Sequence, residues 1–106
     1  MNIIYNGILD EDIRECEPVM RKIYEFIGAQ EAELTRHDTG NNEYEITARI
    51  HKYRGTDIRV SVEVILHRKV RIVRYYTEEE MNVSEEMLAE LLCCVKRIYE
   101  RTADTA

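Results

Sequence analysis

Glycine is scarce in this chain and scattered. Gly7, Gly28, Gly40 and Gly55 are its four glycines, each isolated, so there is no glycine-rich loop to cradle a phosphate. Gly-x-Ser-x-Gly, Cys-x-x-Cys and His-Glu-x-x-His are missing too, which removes three familiar signatures of hydrolase, redox and zinc chemistry. No apolar run approaches the roughly 18 residues a membrane-spanning helix needs. Met1 to Leu9 has neither a basic stretch nor a long apolar core, so no secretory signal is expected. The three cysteines, Cys16, Cys93 and Cys94, are odd in number and include a vicinal pair. That is a poor disulfide framework and points to a reducing cytoplasm, the host's if the protein is phage-encoded.

What the chain does have is an uneven charge. Its 106 residues carry a net −6, distributed as −5 over residues 1–35, +4 over 36–76 and −5 over 77–106. If the ends are helices and the middle a sheet, one face should be positive and another negative, and such a field steers partners by sign. Arginine outnumbers lysine 11 to 4, and guanidinium favours planar two-point contacts with carboxylates and phosphates. The length and a hydrophobic content of 44% suit one domain over 1–106 with a single core and little room for a deep pocket.

Periodicity assigns the elements. Ile13, Cys16, Met20, Ile23 and Ile27 step by three or four and predict a first helix, widened by Val19 and Tyr24 and stopped at Gly28. Asp10 and Asp12 are its expected caps, and Pro18 is expected to bend it. Asn2 to Tyr5 reads as a short strand or an arm. Ala32 and Leu34 alternate with charged residues and predict an edge strand over about 31–37. Tyr44, Ile46, Ala48 and Ile50, then Ile58, Val60, Val62, Val64 and Leu66, alternate strictly and predict two strands with one buried face. A turn centred on Gly55 places Ile50 opposite Val60 and Tyr44 opposite Leu66. A further strand spans about 70–76; a loop of His67, Arg68 and Lys69 would point Arg74 inward unless a bulge intervenes. Met87, Leu88, Leu91, Leu92, Val95, Ile98 and Tyr99 predict the last helix, with Ser84 as N-cap and a capping box at Thr77 and Glu80. Residues 102–106 read as a frayed tail. The expected fold is therefore α+β: a two-layer sandwich in α-β-β-β-β-α order, a four-stranded antiparallel meander covered on one face by the N- and C-terminal helices.

Two surfaces are candidates for function. Glu78, Glu79, Glu80, Glu85 and Glu86 cluster at a helix start and could imitate the phosphates of a nucleic acid toward a basic protein groove. Arg49, His51, Arg59 and Arg71, with Tyr75, are expected on the outer sheet face, where arginine and tyrosine could hold phosphates and stack bases. Glu43, Glu45 and Glu63 interrupt that face, and Ile65 and Val73 there favour protein contact or self-association. His51 and His67 share the face at opposite ends, roughly 26 Å apart at strand rise, too far for a shared metal. Cys94 should be buried and Cys93 exposed. No metal, cofactor or catalytic residue is expected. Topology and acidic balance are loosely similar to small secretion chaperones and to phage-encoded inhibitors of bacterial defence, and no motif carries either resemblance. The sequence thus reads as a small non-enzymatic binding protein acting by protein–protein contact. It would suit a phage or mobile-element inhibitor of a nucleic-acid-handling complex, possible as a homodimer and away from membranes. Nucleic-acid binding by the basic sheet face is the alternative.

Overall fold

The first apolar stripe forms α1, Asp10–Ile27, and buries Cys16, Met20, Ile23 and Ile27. The helix runs unbroken through Pro18, which sits on its exposed side, where a missing amide donor is least costly. Gly28 ends it in the left-handed conformation that a side chain resists, and Ala29 N–H donates back to Tyr24 O at 2.9 Å. Leu9, not an aspartate, is the N-cap residue. Asp10 stays exposed, and Asp12 is buried and turned to the second helix.

The computed structural model describes residues 3–68, 70–80 and 82–105, with side chains as far as Thr102; Met1, Asn2, Lys69 and Ala106, invoked above, lie outside these. The elements run β1 (Ile3–Asn6), α1, β2 (Glu31–Gly40), β3 (Glu43–Arg54), β4 (Asp57–His67), β5 (Val70–Thr77) and α2 (Glu85–Thr105). They form an α+β fold whose sheet has five strands in the order β1-β2-β3-β4-β5. The expected four-stranded antiparallel meander is present as β2 to β5, but the sheet is mixed, because β1 joins it parallel to β2. Helix α1 is the crossover that carries the chain back far enough for parallel pairing. Strand β2 is therefore interior, not the expected edge.

Alternation places Ala32, Leu34, Ile46, Ala48, Ile50, Val60, Val62, Val64 and Leu66 in one core with Met20, Ile23, Leu91 and Val95. Pairing between β3 and β4 differs from expectation by two residues: Ile50 meets Val62, Ala48 meets Val64 and Ile46 meets Leu66. The tip is the two-residue loop Gly55–Thr56, and a bulge at Arg59 then shifts the ladder between Lys52 and Tyr53. The hydrophobic pattern demands that inward residues meet inward residues, which any even shift satisfies; the turn selects among them.

The β4–β5 hairpin likewise has a two-residue turn, with Arg68 at positive φ and His67 opposite Val70. This reverses the expected facing without any bulge in β5. Val70, Ile72, Arg74 and Tyr76 point to the open face, while Arg71, Val73, Tyr75 and Thr77 lie on the helix side, in register with Leu66, Val64, Val62 and Val60.

Helix α2 starts as expected, Ser84 Oγ accepting from Met87 N–H at 3.1 Å. Thr77 caps no helix: its hydroxyl accepts from Glu79 N–H at 3.0 Å in a turn. Helix α2 continues into the segment expected to fray, and Thr102 Oγ1 donates to Ile98 O at 2.8 Å. Glu15 meets Arg97 at 2.9 Å and Lys22 meets Glu90 at 3.4 Å, while Arg101 binds Asp12. Rising numbers on α1 meet falling numbers on α2, so the helices are antiparallel. Arg97 and Arg101 of α2 neutralise Asp12 and Glu15 near the start of α1.

Candidate functional site

Both helices lie on one side of the sheet, and the other side is uncovered. Strand alternation builds that open face in cross-strand rows. Glu33 of β2, Arg49 of β3, Glu63 of β4 and Arg74 of β5 stand side by side in one row. Arg49 Nε donates to Glu63 Oε2 at 3.0 Å and its Nη1 lies 3.6 Å from Glu33, while Arg74 reaches Glu63 at 3.6 Å. The row alternates in sign, so each guanidinium is held by a neighbouring carboxylate. The adjacent row is Thr35, Thr47, Ile65 and Ile72. Thr47 is buried even on this open face, with its hydroxyl donated to Glu45 at 3.1 Å.

Flanking rows continue the mixture. Glu31, His51, Ser61 and Tyr76 align on one side; His37, Glu45, His67 and Val70 on the other. His51 lies 3.2 Å from the Tyr53 hydroxyl. His67 lies 3.3 Å from Glu43, which also holds Arg68 at 3.0 Å. Beside the bulge, Arg59 binds Glu78, and Tyr76 donates its hydroxyl to the same carboxylate. That double donation, from Tyr76 and then Arg59, holds the Glu78 carboxyl below its ordinary value, and the carboxylate in turn raises the Tyr76 phenol.

The structure thus brings Arg49, His51 and Arg59 to the open face as expected, but not Arg71, Tyr75 or Val73, which the shorter turn puts on the helix side. Arg74 and Ile72 take their place. The acidic cluster divides. Glu78 binds Arg59 and Tyr76, and Glu79 binds Lys52 at 2.8 Å, whereas Glu80, Glu85 and Glu86 are exposed. The charge segregation seen along the chain is consequently reduced in space: carboxylates from 1–35 and 77–106 meet the basic middle at Glu33, Glu78 and Glu79. Glu33 and Ile72 were not singled out from the sequence, and Arg74 only for its facing, because their importance depends on which residues stand beside them.

The cysteines fall where the helical wheel puts them, Cys16 and Cys94 buried and Cys93 exposed. Cys16 and Cys94 face each other between the helices. The hydrogen bond from Cys16 lowers the Cys94 thiol below its ordinary value, while the same partner and burial push Cys16 up. Both are enclosed in the core cluster. No family model, curated protein or solved structure matches the chain.

Proposed function

We propose that this is a non-catalytic binding protein that docks a protein partner on the open face of its sheet. The observation that carries the reading is the pairing of Arg49 and Arg74 with Glu33 and Glu63, alongside the Ile65–Ile72 row. Phosphate binding would require those guanidiniums to leave their carboxylates. A protein surface can instead cover the Thr47, Ile65 and Ile72 row and meet the flanking charges with complementary ones; arginine, tyrosine and apolar side chains surrounded by polar groups are the composition of protein interfaces. The exposed Glu80, Glu85 and Glu86 sit at the start of α2, apart from the open face, and favour a partner that also carries basic groups, such as a nucleic-acid-handling protein.

The test is affinity capture from nuclease-treated extract of the native cell, comparing the wild type with Ile72→Lys and with Glu80→Lys/Glu86→Lys. A partner retained by the wild type and lost with Ile72→Lys supports the reading. A gel shift with single- and double-stranded RNA and DNA at about 0.15 M salt decides against it if tight binding occurs and disappears in Arg49→Ala/Arg59→Ala.

A further inference from the structure

The two edges of the sheet are unlike. Strand β1 has four residues, whereas β5 has eight, without proline and without a register shift against β4. The hairpin phase tells which backbone groups of β5 are used. His67 opposite Val70 closes the two-residue turn, and Glu78 N–H donates to Arg59 O at 2.9 Å. Alternation between these points directs the amides of Val70, Ile72, Arg74 and Tyr76 toward β4, and those of Arg71, Val73 and Thr77 toward the outer edge. Such an edge is a template for another strand.

Exposed apolar side chains flank the edge on both faces, beside Arg71 and Arg74. Val70 and Tyr76 on the open face and Val73 on the helix side are 52%, 47% and 37% exposed. On the helix side a hollow of about 240 Å³ separates β5 from α2, lined by Arg71, Val73, Glu85, Leu88, Ala89 and Leu92.

We propose that β5 pairs antiparallel with β5 of a second copy of this chain, about a two-fold axis at Val73. Directly opposite residues point to the same face, so the axis must pass through a residue position if both helix layers are to lie on one side. An axis at Ile72 pairs only residues 70–74 of the strand. An axis at Arg74 sets that guanidinium against its own copy. The axis at Val73 pairs residues 70–76, places Ile72 opposite Arg74 of the partner subunit and Val70 opposite Tyr76 of the partner subunit, and brings together the two hollows beside Val73, where Leu88 and Leu92 are bordered by Arg71 and Glu85. The two open faces then form one continuous surface. This concerns the edge and goes beyond the docking reading above; failure of either leaves the other standing.

Sedimentation equilibrium over a wide concentration range is the first measurement, and a species of twice 12.6 kDa is expected. Val73→Lys places two ammonium groups at the axis and should return the monomer while leaving the circular dichroism spectrum unchanged. In a Cys93→Ser background, Val73→Cys should give a covalent dimer on mild oxidation at micromolar protein, because opposed Cα atoms about 5.5 Å apart fall within disulfide reach. Ile72→Cys, facing an arginine, should not. A 12.6 kDa species at every concentration overturns the proposal. So does a dimer that survives Val73→Lys and that cross-links in the Ile72→Cys variant but not in the Val73→Cys variant.

Discussion

The sheet's two faces are made by the same strands, one residue after another, yet they are held by different physics. On the helix side, Ile46, Ile50, Val60, Val62 and Val64 are fully enclosed, and removal of apolar surface from water supplies the stability. On the open side, Arg49, Glu63 and Arg74 remain in contact with water, and their ion pairs are individually weak. The closed face therefore answers to volume and polarity at each position. The open face answers to the identity of neighbours in a row, which a partner could read as a pattern.

That contrast should appear first as a difference in magnitude. Val62→Asp places a carboxylate between Ile50 and Tyr75 and should cost about 3–5 kcal/mol; chemical denaturation that leaves the midpoint unchanged would mean the described register is wrong. Leu91→Ala, at the centre of α2's buried stripe, should cost about 2–5 kcal/mol through lost burial and the cavity left behind. Asp12→Ala removes the buried carboxylate that holds Arg101 and should cost about 1–3 kcal/mol, with Arg101→Ala then adding only the weak exposed pair that it makes with Glu15. On the open face, Glu63→Lys replaces the shared anion between Arg49 and Arg74 and should cost only about 1 kcal/mol, while changing partner binding far more than stability.

The smallest effect is a pH dependence. Hydrogen bonds from Arg97 and then Arg101 hold the Glu15 carboxyl below its ordinary 4.5. A carboxyl depressed in the folded state stabilises above its unfolded value and loses that contribution as pH falls through the folded one. Stability should therefore decline on the acid side of about pH 4.5, and Glu15→Gln should flatten that limb by lowering stability slightly at neutral pH, the two proteins converging in acid. An unaltered acid-unfolding profile in the variant would remove Glu15 from the account.

Much of the closed face was legible in advance. The stripe from Ile13 to Ile27, the alternation of residues 44–50 and 58–66, and Ser84 before the last helix each depend on local spacing, and each element formed. Strand β1 was ambiguous because four residues carry too little alternation to separate a strand from an arm. Asp12 resembled a cap because its role depends on Arg101, 89 residues away.

The open face was only half legible, and Arg71 and Arg74 show why. The order of residues along a strand decides which of them share a face, since side chains alternate. It does not say which face is buried when both sets mix charge with apolar residues, as Arg71, Val73 and Tyr75 do against Ile72, Arg74 and Tyr76. A two-residue turn at Arg68, without the glycine or asparagine that commonly marks one, decided it. The same division holds for the molecule. Amino-acid order by itself determined the helices, strands β2 to β5 and the inward set of β3 and β4 up to the shift at Arg59, beyond which Ile58, expected inward, is exposed, because periodic burial is a local property. Only the tertiary structure decided the parallel strand β1, the shift at Arg59 and the row Glu33–Arg49–Glu63–Arg74, because register is set by turns and by competition among pairings that satisfy the same hydrophobic pattern.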